Sequence, residues 1–295
     1  PSQVKTQPMH NHDYQLVALD IDGTVLDSRG TVSCSFQTAI ARLAEAGVHT
    51  VLCTGRRWRS AHPVQEQIPG GSPVVVCSAG ALIKEAGTHR TLHSDPLSPG
   101  AVRLALRLFR ENRMVPLALM DRPLGRPELL ISRGDRSVAD DLVYVRSNRD
   151  DLEWYDGPFP ETEEPVLEIY TVADRDHVLS VEPEVDRQLK GLGRTTAIHQ
   201  PVYGPRDWAF EVHAPTATKW NGLRHLMDRW KVQPEGIVAI GDDINDIPML
   251  EAAGLSFAMG NAVDRVREVA DQRTTSNDED GVVRALETVF PDLLA

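Results

Sequence analysis

Basic residues are the scarcer charge: 31 lysines and arginines face 43 acids, leaving a formal charge of −12. Nucleic-acid binders carry a basic footprint, so this balance argues against such a partner. A phosphorylated substrate stays admissible, because a bound divalent cation inverts the local sign. Cysteine is sparse as well, with only Cys34, Cys53 and Cys77 and no paired metal-ligand spacing. Cys53 and Cys77 close apolar runs, so buried thiols in a reducing cytoplasm are the expectation. No apolar run approaches the ~20 residues that span a bilayer, and no secretory signal is visible. No Gly-x-x-x-x-Gly-Lys loop and no Gly-x-Ser-x-Gly elbow occurs, which removes P-loop nucleoside triphosphatases and α/β-hydrolases.

What remains is an ordinary globular composition, 41% apolar and 25% charged over 295 residues, enough for one or two domains. Residues 1–13 are polar and expected to fray; His10 and His12 fall there. The run Leu16-Val17-Ala18-Leu19 reads as a buried parallel strand and leads into Asp20-Ile21-Asp22-Gly23-Thr24. Ligands of open α/β sheets sit beyond the carboxyl ends of such strands. Two carboxylates ~4 Å apart at an effective dielectric of ~20 repel by ~4 kcal/mol, so a hard cation, Mg²⁺ first among them, is their natural companion.

The chain continues as strand and helix in alternation. A helix from Ser33 to Ala46 carries Phe36, Ala39, Ile40, Leu43 and Ala44 on one face. A strand at Val48 to Cys53 ends in Thr54-Gly55-Arg56, where a hydroxyl and bare N–H groups can meet an anion. A third strand, Val74 to Cys77, ends in Ser78-Ala79-Gly80-Ala81. The rhythm then changes. Ser98-Pro99 opens a helix to Arg110, followed by short strands and a further helix without βαβ order. On that first helix Arg103, Arg107 and Arg110 read as a solvated face, and the acid-rich 150–164 as an exposed loop. The opening rhythm resumes with a helix from Lys219, a strand Ile237 to Ile240, and Gly241-Asp242-Asp243-Ile244-Asn245-Asp246. The expected fold is α/β: a doubly wound, mostly parallel, Rossmann-like core sheet over residues 1–93 and 214–295, with an α+β insert over 94–213.

If those strands form one parallel sheet, carboxylates, a hydroxyl and an ammonium converge at one edge, a set that fits phosphoryl transfer. The motifs, in this order, resemble those of haloacid dehalogenase (HAD) superfamily phosphatases of the Cof-type, class IIB branch. The tail pieces Ala258-Met259-Gly260-Asn261-Ala262 and Ser276-Asn277-Asp278-Glu279-Asp280-Gly281 are similar to that branch too. The resemblance implies Asp20 as nucleophile through an aspartyl-phosphate, and Asp22 as general acid/base. It implies Mg²⁺ held by Asp20, the Asp22 carbonyl and Asp242, with Asp246 supporting the metal shell. Thr54 and Lys219 would hold the phosphoryl group, Asn245 would contact it, and Gly55 and Arg56 would face the substrate. The insert would be a cap that sets specificity for a small phosphorylated metabolite, such as a sugar phosphate or a nucleotide or cofactor precursor. Two positions depart from the pattern: Ala79 replaces the usual Asn, and Trp220 follows Lys219 where a small residue is usual. A phosphotransferase or mutase with the same intermediate, and a non-enzymatic receiver-like signalling protein, are the alternatives.

Overall fold

The computed structural model describes residues 14–71, 73–160, 163–199 and 204–294. His10 and His12 lie outside the described residues. β1 (Leu16–Leu19) forms where four apolar residues run together, and all four are buried. In α1 (Cys34–Glu45) the Ser33 hydroxyl accepts from the Phe36 N–H at 3.1 Å, a cap typically worth about 1 kcal/mol. Of the expected apolar stripe, Phe36, Ala39, Ile40 and Leu43 are buried, while Ala44 at its edge is half-buried. β2 (His49–Cys53), α2 (Trp58–Gln65) and β3 (Val74–Cys77) repeat the unit. β4 (Leu82–Glu85) and β5 (Thr91–Ser94) follow.

The next stretch builds a sheet of its own. It contains α3 (Pro99–Glu111), β6 (Leu117–Met120), β7 (Leu129–Ser132), the short α4 (Arg136–Ala139) and α5 (Val143–Ser147), β8 (Leu152–Tyr155), β9 (Val166–Asp174), α6 (Arg175–Leu189), β10 (Arg194–His199) and β11 (Asp207–His213). The strand order is β10–β11–β9–β6–β7–β8, antiparallel except for the β7–β8 pair. α3 and α6 supply Ala105, Phe109, Val178 and Val185 to a core shared with Ile169, Phe210 and Val212, where the Phe109 and Phe210 rings lie 5.2 Å apart. Part of the stretch read as an exposed loop is the strand β8. Leu152 is buried opposite Leu129, and the neighbouring Glu153 is anchored by the buried Arg122 at 2.7 Å, which is why an acid-rich segment can pair here. Arg103 and Arg107 are exposed, while Arg110 reaches Asp135 and Tyr155.

α7 (Lys219–Trp230), β12 (Ile237–Gly241), α8 (Ile247–Ala252), β13 (Leu255–Ala258), α9 (Asp264–Val269), β14 (Gln272–Arg273), α10 (Gly281–Val289) and α11 (Pro291–Leu294) complete the chain. β12 pairs with β1, and the strands run β14–β13–β12–β1–β2–β3, all parallel. From the middle of the sheet the chain progresses outward in both directions, so right-handed crossovers place helices on both faces. The order reverses between β1 and β12, and ligands of doubly wound sheets bind beyond the carboxyl ends at that point. Packing divides the chain into two compact units: Pro1–Cys77, Lys84–Thr88 and Lys219–Ala295 form one, Ser78–Ile83 and His89–Thr218 the other.

Candidate active site

Asp20 is the first residue past β1, and its N–H donates to the Ile240 carbonyl of β12 at 3.1 Å. Asp242 is the first residue past β12. Their carboxylates and that of Asp246 offer oxygens within 4.8 Å of one another. The Lys219 ammonium lies 2.5 Å from Asp20 Oδ1 and 2.6 Å from Asp246 Oδ1. Asp246 Oδ2 accepts from the Asp242 and Asp243 N–H groups at 3.0 and 3.1 Å. Asp246 is thus held on both oxygens, and it fixes the lysine and the turn after β12 together. Thr24 donates to Asp242 Oδ1 at 3.0 Å. Gly23 permits this approach: its φ is +73°, and a Cβ would come within 2.3 Å of Asp242 Oδ2.

Three carboxylates against one ammonium leave two negative charges in excess, in a place where Asp20, Lys219 and Asp246 are all buried. Burial works against the Lys219 charge, but Asp20 and Asp246 outweigh it and hold its pKa above the ordinary value. Burial first, then the charge of Asp246, push Asp242 up to about 7. A compact set of hard oxygens with an unbalanced charge of two suits a divalent ion of the Mg²⁺ kind. Neighbouring Cys53 is kept as a thiol, since burial raises its pKa.

Asp22 is placed differently. Its side chain is 59% exposed, against 7% for Asp20, and Arg56 grips it through two bonds of 2.7 and 2.6 Å. The Arg56 N–H in turn donates to the Thr54 hydroxyl at 3.0 Å, and its guanidinium reaches the Ser60 carbonyl. Thr54 is fully buried past β2. A Cβ on Gly55 would stand 3.5 Å from Asn245 Nδ2, and Asn245 Oδ1 is buried without a partner among the described residues. Asp20, Asp242, Asp246 and Lys219 therefore meet directly, with Asp22–Arg56 and Thr54 on the flanking turns.

The family model for haloacid dehalogenase-like hydrolases matches residues 17–286. The chain belongs to that family. Among curated HAD-like relatives it is similar to the 5-amino-6-(5-phospho-D-ribitylamino)uracil phosphatase YitU of Bacillus subtilis, with 27% identity over 93% of this chain and 97% of the relative. It is also similar to the pyridoxal phosphate phosphatase YbhA of Escherichia coli, with 24% identity over 92% and 96%. A solved haloacid dehalogenase-like hydrolase from Bacteroides thetaiotaomicron matches with a TM-score of 0.73 and 25% identity, over 94% of this chain and all of that one. The chain is accordingly a phosphoric monoester hydrolase of the HAD type.

Several residues that shape this HAD-type site carry no role in the sequence reading. Asn261 donates to the Gly23 carbonyl at 2.8 Å and accepts from the Asn277 N–H at 3.0 Å. Asn277 donates to the Leu26 carbonyl at 2.8 Å, Asp278 accepts from the Ser28 N–H at 2.8 Å, and Asp280 accepts from the Ser33 hydroxyl. The two tail pieces that resemble the family are thus a clamp on the loop that follows Asp20, and their resemblance was the signal that could have found them. Of the two departures, Trp220 is half-buried. Ala79 is buried at φ +52°, between Ser78 and Gly80, which also have positive φ.

Proposed function

We propose that this protein hydrolyses a small phosphorylated metabolite with the help of Mg²⁺ through an aspartyl-phosphate on Asp20. The buried Asp20–Lys219–Asp246 chain beside Asp242, at the point where the sheet order reverses, is the observation that carries this reading. Asp20, Asp242 and the Asp22 carbonyl would hold the ion, with Asp246 as support. When bound, Mg²⁺ supplies positive charge against the phosphoryl oxygens.

Lys219 orients Asp20 and keeps a permanent positive charge beside it. An Asp20 carboxylate oxygen attacks phosphorus, and the bond from phosphorus to the leaving oxygen breaks. Asp22, near solvent, gives its proton to that oxygen and then takes one from the water that releases phosphate. Thr54 offers its hydroxyl and Asn245 its amide to the phosphoryl group, while Gly55 and Arg56 line the substrate side. Residues 94–213 are assigned as a cap domain that selects the leaving group. Small phosphorylated compounds are the named substrates of the relatives YitU and YbhA, which supports a substrate of that size. No helix among the described residues is long and apolar enough to cross a membrane, and the three cysteines are free, in keeping with a cytoplasmic enzyme.

The deciding experiment measures phosphate release from p-nitrophenyl phosphate and a panel of phosphometabolites, with Mg²⁺ or with chelator. Asp20→Asn should lower kcat by at least about 10³-fold with the fold intact, as loss of a covalent nucleophile does. Metal-independent turnover, or an active Asp20→Asn protein, would refute the assignment.

A further inference from the structure

Asp22 sits on a turn whose other residues are fixed. Asp20 is buried at the end of β1, and Gly23 lies against the Asp242 carboxylate. The Asp22 side chain, by contrast, stands more than half exposed. An aspartate carboxylate rotates about a broad, two-fold χ2, so such a group samples many orientations unless something grips it. Among the described residues Arg56 alone does so, with Nε donating to Oδ2 at 2.7 Å and Nη2 to Oδ1 at 2.6 Å.

Arg56 is itself braced at two points. Its remaining guanidinium nitrogen, Nη1, donates to the Ser60 carbonyl at 3.1 Å in the first turn of α2. Its backbone N–H donates to the buried Thr54 hydroxyl at 3.0 Å, at the end of β2. The helix is seated through Trp58, Ala61 and Val64, all buried. One nitrogen thus anchors the guanidinium and two hold the carboxylate. A planar fork on both oxygens fixes the plane of a carboxylate as well as its position, which a lysine ammonium cannot do. An ion pair this exposed adds little to stability, because water and salt compete for both partners. Its contribution is orientation.

We propose that Arg56 is a positioning residue for the reaction, aiming the Asp22 carboxyl group at the oxygen that leaves phosphorus. This rests on the reading of Asp22 as the acid and base, and it accounts for how so exposed a side chain is aimed. In the first half of the reaction the bond from Asp20 to phosphorus forms and the bond to the leaving oxygen breaks, while the Asp22 proton passes to that oxygen. Protonated Asp22 keeps one oxygen on Arg56 and turns its O–H to the leaving oxygen. With the proton gone, both oxygens rest on the fork. In the second half a water oxygen bonds to phosphorus, the bond from Asp20 breaks, and Asp22 takes the water proton. Proton transfer requires hydrogen-bond reach and alignment, so a carboxyl group released from the fork transfers its proton more slowly.

Leaving-group chemistry tests this with two probes of nearly the same shape, phenyl phosphate and p-nitrophenyl phosphate. p-Nitrophenolate departs without a proton, whereas the more basic phenolate gains from one. Because kcat/KM covers the steps through leaving-group departure, the ratio of its values for phenyl and p-nitrophenyl phosphate reads the proton transfer. Arg56→Lys, which keeps the charge but not the fork, should lower that ratio at least about tenfold. Arg56→Gln should do the same, and it stands in should Arg56→Lys fail to fold by circular dichroism. In Asp22→Asn the ratio should already be low, and adding Arg56→Lys should then change it less than about twofold. An equal loss on both phosphates, or a loss that persists in full in the Asp22→Asn background, would overturn the proposal and make Arg56 a contact to the substrate. A wild-type ratio in Asp22→Asn itself would instead refute the reading of Asp22 as the acid, and this role of Arg56 with it.

Discussion

Asp20 and Asp22 are two residues apart and live in different worlds. Asp20 is buried against an ammonium, whereas Asp22 reaches solvent in a two-pronged grip from Arg56. The turn that follows them depends on Gly23. Gly23→Ala would place a methyl group against the Asp242 carboxylate and force a left-handed alanine, a strain of about 1–2 kcal/mol. The expected result is a lower melting temperature and an apparent Mg²⁺ requirement raised at least about tenfold, read from activity against Mg²⁺ concentration. An unchanged Mg²⁺ dependence would mean that Asp242 does not serve the ion. The charged members of this site were legible in the sequence because each follows an apolar run or opens a helix. Thr24 was not, because its importance is a single hydroxyl bond to a residue 218 positions away.

At the scale of elements, the parallel strands announced themselves as apolar runs, and the caps at Ser33 and Ser98 as serines ahead of helical stripes. β8 did not, because four residues among many acids leave no periodicity, and the strand exists only through its neighbour β7 and through Arg122. The clamp on the loop after Asp20 showed only as a resemblance of the two tail pieces, since its bonds join segments that no local pattern links. Asn261 is its centre, touching both the Gly23 carbonyl and Asn277. Asn261→Ala should cost about 0.5–1.5 kcal/mol of stability, the usual net worth of a hydrogen bond where water can replace it. It should also lower kcat more than it changes KM, since the loop it steadies carries the reacting groups. Steady-state kinetics beside a denaturant melt would separate the two effects. A stability loss with kcat untouched would confine Asn261 to a structural role.

For the molecule as a whole, the excess negative charge at the sheet edge is a stability term as well as a binding device. Asp242 titrates at about 7 in the folded protein, against an ordinary value of 3.8. The folded state therefore binds this proton more tightly than the unfolded chain does. Between those two values, rising pH removes stability from the metal-free protein, by at most ~1.4 kcal/mol per unit. In the proposed mechanism Mg²⁺ binds the ionised carboxylate, so its stabilising increment should grow from about pH 5 to about pH 7 and then level off. Melting curves with Mg²⁺ and with chelator across that range check this directly; an increment flat with pH would count against it. The strand order of the insert lay beyond sequence reading, because which antiparallel neighbours pair depends on register between distant segments.

The clamp also bears on how the protein is made. Asp20 lies one residue past β1, yet β12 pairs with β1 across more than 200 residues, and Asn277 and Asp280 come later still. Closing so wide a span is slow for a bare chain, and prior folding of the intervening unit shortens it. Asp20 therefore leaves the ribosome more than 200 residues before Asn277 and Asp280, which hold the loop that follows it. A chain terminated before Asn277 carries Asp20 without that clamp, so the proposed phosphoester cleavage should require translation to pass Gly281.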